Sequence, residues 1–245
     1  MKNIQASGSR VAVKKRLYQQ LPLGISLKEN FVFDDFLGVG NEQLLLHLQT
    51  QLASCVPFFL FLWGERDSGC SHLLQAACQS ISGQRSAIYL PLRQLIDQSP
   101  QLLEGLENIG LICIDDLQLV AGNNEWEEAL FHFFNRIFEQ GSALLIAAKS
   151  APQGLDIKLP DLLSRIASAV VYQVKELDDS GKVSLLQARA LSQGLILTEE
   201  SAHYIFNRAG RSLQELMHIM KHLDGQSLSA NRKLTIPFIK QVMNW

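Results

Sequence analysis

The chain has 245 residues, 47% of them hydrophobic and 19% charged, enough for one large folded domain or a medium domain with a small second one. The longest apolar run, 56–63, is far shorter than the ~20 residues of a membrane-spanning helix, and the N-terminus has no apolar signal core. We therefore expect a soluble, cytoplasmic protein with no membrane partner. The cysteines, Cys55, Cys70, Cys78 and Cys113, show no metal-ligand spacing and are interpreted as reduced thiols.

The net charge of −2 hides an uneven distribution. Residues 1–30 contain six basic and one acidic residue, 31–205 contain ten and 21, and 206–245 contain six and two. A basic C-terminal segment can contact nucleic acid or stay solvated, and no helix-turn-helix or aromatic stacking motif accompanies it. We expect DNA contact to be weak or indirect.

The predicted elements begin near Phe31, after a flexible arm over residues 1–30 that is rich in Gly, Ser, Lys and Gln. Strand-like segments follow at 57–63, 86–91, 110–115, 142–148 and 168–174, and helical segments at 70–81, 92–107 with a Pro break, 124–139 and 160–166. This alternation predicts an α/β fold over residues 31–175, with a parallel five-stranded sheet covered by helices on both faces.

The spacing of the apolar residues changes after about Glu176. Segments 178–193, 198–208, 212–223 and 235–244 show helical spacing only. Asp178, Thr198 and Ser212 stand at the N-cap positions of three of them. Residues 176–245 are therefore predicted to form a small helical lid domain.

A phosphate-binding loop is indicated where the strand at 57–63 meets the helix at 70–81. The segment WGERDSGCS has Gly64, four residues, Gly69, and then Cys70 and Ser71 where the usual pattern has Lys and Ser or Thr. The glycines allow the turn, and the backbone N–H groups at the helix start face an anion. Ser71 is placed to bind Mg²⁺, and Asp115, at the end of the later strand ICIDD, to hold the water shell of that ion.

Because Cys70 stands where the usual pattern has lysine, this loop lacks its cation. A lysine there would bridge the β- and γ-phosphates, a charge-assisted bond that contributes roughly 1.5–3 kcal/mol. The thiol cannot replace it, and at a helix N-terminus its pKa is expected to fall, so that a thiolate would repel phosphate. Arg66 and Lys149 either supply substitute positive charge or are ordinary surface residues. We expect a diphosphate to fit this site better than a triphosphate.

Together these motifs resemble the AAA+ domain of the bacterial initiator DnaA and, more closely, the DnaA-related Hda regulators. The likeness covers about residues 17–245 and rests on QLPLGISL, FVFDDF, WGERDSGCSHLLQAAC, LICIDDLQLVAG, LPDLLSRI and KLTIPFIKQV. It implies an AAA+ domain with a lid, and a regulator that switches off replication initiation with DnaA as its partner.

The resemblance also implies roles for residues outside the loop. Arg165, in LPDLLSRI, would be an arginine finger that acts on ATP held by a neighbouring DnaA subunit. The arm would dock on the DNA polymerase III sliding clamp (beta) as an extended peptide with spaced apolar anchors, through Gln20, Leu21, Leu23 and Ile25. Self-association into a homodimer or a larger homo-oligomer stays open.

The predicted nucleotide contacts are the loop with the start of its helix, two residues of the 31–40 segment, the acidic strand end and the positions that resemble phosphate sensors. They are Phe36, Leu37, Gly64, Glu65, Arg66, Asp67, Ser68, Gly69, Cys70, Ser71, His72, Asp115, Asp116, Lys149, Arg211 and Gln214. Lys149 stands where the family usually has Asp or Asn, and Gln214 where it has a sensing arginine, with Arg211 as a stand-in. With Cys70, these departures imply weak or absent intrinsic ATP hydrolysis and a structural role for a bound nucleotide, ADP or another nucleoside diphosphate.

Three functions remain in competition. The expected one is a regulator at the replisome and nucleoid that stimulates hydrolysis of ATP bound to DnaA while tethered to the clamp. A second is an autonomous AAA+ ATPase that remodels DNA-bound proteins or loads helicase, and turnover lost on Asp115→Ala would favour it. A third is an adaptor with an empty pocket, which the lack of any nucleotide-dependent thermal shift would favour.

Overall fold

The structure is a computed structural model and describes residues 31–54, 56–210, 212–227 and 233–245. Within these ranges five parallel strands form one sheet in the order β2-β3-β4-β1-β5. The strands are β1 Phe59–Trp63, β2 Ala87–Pro91, β3 Leu111–Asp115, β4 Ala143–Ala148 and β5 Val170–Gln173. The predicted parallel five-stranded sheet is confirmed.

The α-helices alternate with the strands and then follow one another without strands. They are α1 Glu42–Ser54, α2 Cys70–Ser80, α3 Leu92–Leu95, α4 Asn124–Gln140, α5 Pro160–Ala167, α6 Asp179–Ser192, α7 Glu199–Arg208, α8 Leu213–Gln226 and α9 Ile236–Met243. Among the helices of the described ranges, none has the length and apolarity needed to cross a membrane.

Helices cover both faces of the sheet because successive side chains of each strand point to opposite faces. On one face, Leu62 of β1 packs in a cluster with Leu74 of α2 and with α1. On the other face, Phe61 packs in a cluster with Phe133 of α4 and Ile166 of α5. The central strands β3 and β4 are buried along their whole length, as expected for a parallel sheet between two helical layers.

The topology brings the ends of three strands to one edge. Since β3, β4 and β1 are adjacent and parallel, the residues that follow them, Asp116, Lys149 and Gly64, lie at the same carboxyl edge of the sheet. Ligands of open parallel sheets bind outside this edge.

The helices α6 to α9 form a lid with its own apolar core. Leu186, Ile205, Leu216 and Ile239 are fully or almost fully buried in a cluster separate from the two that cover the sheet. The predicted helical lid is therefore confirmed.

One predicted helix is wrong, whereas all three predicted N-cap residues stand at the N-cap positions of α6, α7 and α8. In place of the helix predicted over 92–107, the structure has the short α3 and two 3₁₀ turns, Pro100–Leu103 and Leu106–Asn108. Asp178 and Thr198 cap α6 and α7 as predicted, by accepting hydrogen bonds from backbone N–H groups. Ser212 occupies the N-cap position of α8, but its side chain makes no capping hydrogen bond to that helix. The structure also contains α1, for which the sequence analysis has no counterpart.

Candidate nucleotide-binding site

The loop between β1 and α2 requires glycine at both predicted positions. A Cβ atom on Gly64 would lie 2.5 Å from Ser68 Oγ and 2.7 Å from the carbonyl oxygen of Val174. Gly69 has a φ of +94°, in the left-handed region, and a Cβ there would lie 2.6 Å from the ring of Phe36. These two glycines allow the tight path of the loop, which leads directly into α2. The first N–H groups of that helix are suited to a phosphate.

The two residues predicted to serve Mg²⁺ lie together. Asp115, 5% exposed, has hydrogen bonds from the Ser71 hydroxyl and from the Tyr89 hydroxyl, the latter at 2.6 Å. Burial raises the pKa of the Asp115 carboxyl above its usual value, and these two hydrogen bonds oppose that shift. Burial and the neighbouring carboxylate also raise the pKa of Tyr89, so its hydroxyl stays a donor.

A hydroxyl and a carboxylate suit a magnesium ion, which keeps several waters and takes further oxygens from phosphates. Across the described residues no group of three or more His, Cys, Asp or Glu side chains is arranged to hold a metal. One hydroxyl and one carboxylate leave the other coordination positions to water and phosphate, so Ser71 and Asp115 fit an ion that arrives with a nucleotide.

Asp116 and Lys149 are tied together through Gln118. Asp116 accepts hydrogen bonds from Arg93 Nε at 3.0 Å and from Gln118 Nε2 at 2.8 Å. The Oε1 atom of Gln118 accepts the backbone N–H of Lys149 at 3.1 Å, and the Lys149 residue is exposed. The carboxylate predicted to contact nucleotide is thus already engaged by a guanidinium and an amide.

The prediction that the Cys70 pKa falls is wrong. Burial raises the pKa of the Cys70 thiol to about 12, and the nearby Asp115 carboxylate adds to the rise. The Sγ atom lies 3.4 Å from Ser68 Oγ, a contact that opposes the shift only in part. Cys70 is therefore a neutral thiol that places no negative charge beside a phosphate.

A cleft runs from the loop to the lid, with an empty volume of about 380 Å³ that includes open solvent. Its lining comes from the segment before α1, the loop with the start of α2, and the hinge with the lid: Asp35, Phe36, Leu37, Asp67, Ser68, Gly69, His72, Lys175, Leu177, Leu185 and Leu213. The structure thus brings the predicted contacts Phe36 and Leu37 to the same cleft as the loop.

His72 fixes the segment before α1 against the loop. Its Nε2 atom lies 2.8 Å from the Val32 carbonyl oxygen, and its ring lies 4.8 Å from the Phe31 ring and 5.7 Å from the Phe36 ring, between centroids. Burial lowers the pKa of His72. The neutral ring therefore serves packing more than charge recognition of phosphate.

Asp67 joins the loop to the lid. Its Oδ2 atom accepts hydrogen bonds from Ser212 Oγ at 2.9 Å and from the Leu213 N–H at 3.0 Å. The residue has a φ of +70°, in the left-handed region. Gln214, exposed in the first turn of α8, is thereby held near the loop, whereas Arg211 lies outside the described residues.

The remaining predicted residues fall into two groups. Glu65 and Arg66 are exposed on the loop. The predicted clamp-binding residues Gln20, Leu21, Leu23 and Ile25 lie outside the described residues.

Arg165 lies at the opposite edge of the sheet from the loop. Its guanidinium is 5.9 Å from the centroid of the Phe138 ring, which in turn lies 5.4 Å from the ring of Phe59. Phe59 begins β1 and Gly64 follows its end, so about 15 Å of strand separates the two regions. Arg165 is exposed and therefore available to another molecule.

Sequence reasoning missed the residues that support this site from other elements. Tyr89 holds Asp115 from β2, Arg93 and Gln118 hold Asp116, and Lys175 lies at the hinge. Apart from the local contact between Gln118 and Asp116, these contacts depend on the strand order or on the position of the lid, and no local motif marks them.

Two family models together cover most of the chain. The bacterial DnaA ATPase domain matches residues 27–173, and the Hda lid domain matches residues 179–243. The chain is an Hda/DnaA-related AAA+ protein. This AAA+ protein is also 40% identical over 228 residues to an uncharacterized protein of Haemophilus influenzae, covering 92% of this chain and 99% of that protein.

Solved structures of low identity share the fold. Domain III of the Thermotoga maritima initiator DnaA matches with a TM-score of 0.72 at 19% identity, over 90% of this chain and 98% of that one. DnaA from Aquifex aeolicus bound to AMPPCP matches with a TM-score of 0.67 at 20% identity, over 82% and 67%. The Thermotoga maritima branch migration motor RuvB matches with a TM-score of 0.64 at 16% identity, over 87% and 71%. The predicted AAA+ fold is thus confirmed.

Proposed function

We propose that this Hda-like protein is a negative regulator of replication initiation, supplying Arg165 as an arginine finger to ATP bound by DnaA. In this proposal Gln20, Leu21, Leu23 and Ile25 tether it to the sliding clamp. Its own cleft holds ADP or another nucleoside diphosphate, with or without Mg²⁺, in a structural role.

The position of Arg165 carries the proposal. The guanidinium is exposed, rests over Phe138 and lies at the sheet edge opposite its own phosphate loop. It therefore cannot serve its own nucleotide without rearrangement of the sheet, and a partner's nucleotide is the phosphate that it can reach. A planar, permanently charged group suits the charge that develops on a transferring phosphoryl group.

The chain's own site supports binding better than turnover. Cys70 is neutral, so the usual lysine contact to the β- and γ-phosphates is missing. Asp116 is engaged by Arg93, and Asp67 brings a negative charge to the loop. We therefore propose that the isolated chain hydrolyses ATP weakly or not at all.

The finger role predicts the effect of Arg165→Ala. The protein would be mixed with clamp-loaded DNA and ATP-bound DnaA, and release of inorganic phosphate would be measured. We expect Arg165→Ala to lose stimulation by up to about 10³-fold, and Arg165→Lys to restore little of it because lysine lacks the planar fork. Arg208→Ala, which removes an exposed arginine of the lid, is the charge-matched control. Full stimulation by Arg165→Ala would show that the finger assignment is wrong.

The tether predicts a separate loss. We expect Gln20→Ala combined with Leu23→Ala to abolish retention on clamp-loaded DNA, since the amide and one apolar anchor of the peptide are removed. Retention would be measured by co-elution with the clamp on DNA, with Gln19→Ala as the control. Retention equal to that of the unaltered protein would refute the docking site.

One observation favours the rival ATPase. Ser71 and Asp115 keep the arrangement that would bind a nucleotide-associated Mg²⁺. Phosphate release by the isolated chain, lost on Asp115→Ala, would establish an autonomous ATPase in place of the regulator.

A further inference from the structure

The carboxylate of Glu127 in α4 is 1% exposed and is held by backbone N–H groups. Its Oε1 accepts the N–H of Gly122 at 2.7 Å, and its Oε2 accepts the N–H of Leu159 at 2.7 Å. The N–H of Lys158 reaches both oxygens, at 3.1 and 2.9 Å. Three backbone donors therefore converge on one buried carboxylate.

Two of these donors stand at the start of the helix that bears Arg165. Lys158 and Leu159 directly precede α5, whose N-cap Leu159 has no side-chain cap hydrogen bond. The α5 helix has eight residues, about 12 Å long, with Arg165 in its last turn. A change in the direction of its first turn would therefore move the guanidinium.

The inner side of α5 is fixed by packing, but packing alone does not set its direction. Leu162 and Ile166 are fully buried against the sheet. Apolar contacts are non-directional, whereas hydrogen bonds to a charged acceptor are short and directional. Burying a carboxylate is unfavourable until its partners compensate, so an apolar side chain would serve a purely packing role more simply.

The third donor, the Gly122 N–H, connects Glu127 to the segment that follows the acidic strand β3. Gly122 follows the 3₁₀ turn Leu117–Val120, which begins directly after Asp116. One side chain thus joins the segment after the acidic strand end to the segment before α5.

We propose that Glu127 is a positioning residue that fixes the start of α5 and so orients Arg165 toward a partner's nucleotide. The inference rests on the proposed finger role of Arg165. Glu127 does not touch the reacting phosphate and acts only through α5.

The test compares Glu127→Gln with Glu128→Gln, its exposed neighbour in α4, which undergoes the same chemical change. Glutamine keeps the volume and one acceptor oxygen, but its amide N–H₂ opposes at least one backbone N–H donor. The rate of phosphate release from ATP-bound DnaA on clamp-loaded DNA would be measured over a series of protein concentrations. We expect Glu127→Gln to lower the maximal rate ten- to a hundred-fold, since misplacement of a group by about 1 Å costs about a hundred-fold. The half-saturating concentration should not change, and Glu128→Gln should match the unaltered protein.

A second pair of variants removes a donor and keeps Glu127. Lys158→Pro deletes one N–H, whereas Lys158→Ala deletes only the side chain. We expect a lower maximal rate for the first and an unchanged rate for the second. This pair decides the question if Glu127→Gln does not fold in a thermal melt.

The Arg165→Ala variant separates the two proposals. If Arg165→Ala stimulates fully, the finger role fails. If Arg165→Ala is inactive while folded Glu127→Gln or Lys158→Pro keeps the full maximal rate, only the positioning role is overturned. Combined with Arg165→Ala, Glu127→Gln should cause no further loss, and an additional loss would also overturn it.

Discussion

The thiol of Cys70 is subject to two opposing influences at the start of α2. A helix N-terminus favours a thiolate, whereas burial and the Asp115 carboxylate favour the neutral form. The second influence prevails, because the partial burial of Cys70 weakens the hydration of a thiolate while the nearby carboxylate adds like charge. The site therefore lacks the lysine contact but does not repel phosphate through Cys70.

This raised pKa predicts slow alkylation. At pH 8 a thiol of pKa about 12 is about 10⁻⁴ ionised, against about 10⁻¹ for the ordinary value of 9.0. We expect iodoacetamide to modify Cys70 at least about a hundred-fold more slowly in the folded protein than in urea, as measured by peptide mass spectrometry.

The same shift predicts how stability depends on pH. The pKa of Cys70 is higher in the folded chain than in the unfolded chain, so above pH 9 the unfolded chain loses this proton first and unfolding is favoured. The contribution of Cys70 to the free energy of unfolding is therefore complete below pH 9 and is lost as pH rises toward 12. Cys70→Ser lacks this titration and is the matched control for the free energy of unfolding. Rapid alkylation of the folded chain, or equal pH dependence in both proteins, would contradict the assigned protonation state.

At the scale of elements, local apolar patterns predicted the sheet but not every helix. The strands are short apolar runs between polar turns, so their existence is encoded locally. The helix predicted over 92–107 fails because Pro100 starts a 3₁₀ turn and Gly105 adopts a φ of +83°. Apolar residues spaced as in a helix are buried there by separate turns.

The helix α1 was predictable from its own residues. Leu44, Leu48 and Leu52 recur every four residues and are all buried, a spacing typical of an amphipathic helix. The segment carries no phosphate-binding motif, so its only signal in the sequence is this leucine spacing.

In the candidate site, too, the local features could be predicted from the sequence and the long-range contacts could not. The loop is a contiguous segment, so its glycines and Ser71 could be identified from sequence. Ser212 was expected to cap its own helix, yet its hydroxyl bonds to Asp67, 145 residues earlier in the chain. Such contacts follow from the position of the lid, which local propensity does not encode.

Across the whole molecule, polar contacts connect the α/β part to the lid and hinge around the cleft. Asp67 accepts from Ser212 and Leu213, and Asp35 pairs with Arg189 at 2.6 Å. The side-chain amide of Asn41 accepts the N–H of Lys175 at 2.9 Å and donates to the carbonyl oxygen of Lys175 at 3.0 Å. A nucleotide in this cleft would contact both parts and stabilise their relative orientation.

Asp67 is the contact that both the loop and the lid share, which predicts two effects of opposite sign for Asp67→Asn. Asparagine tolerates the left-handed φ but lacks the charge that faces the N-terminus of α8. We expect the first turn of α8 to exchange its amide hydrogens faster, with about 1 kcal/mol less protection. We also expect tighter ADP binding, because one negative charge leaves the phosphate loop.

Hydrogen exchange with and without ADP, and calorimetric titration, would measure both effects. Glu65→Gln removes a charge from an exposed position of the same loop and is the control: it should tighten ADP binding without faster exchange in α8. If Asp67→Asn destabilised the protein in general, ADP binding would weaken while amide exchange became faster. If Asp67 instead holds the lid and repels phosphate, exchange in α8 becomes faster while ADP binding becomes tighter. Unchanged exchange in α8 would show that Asp67 does not hold the lid.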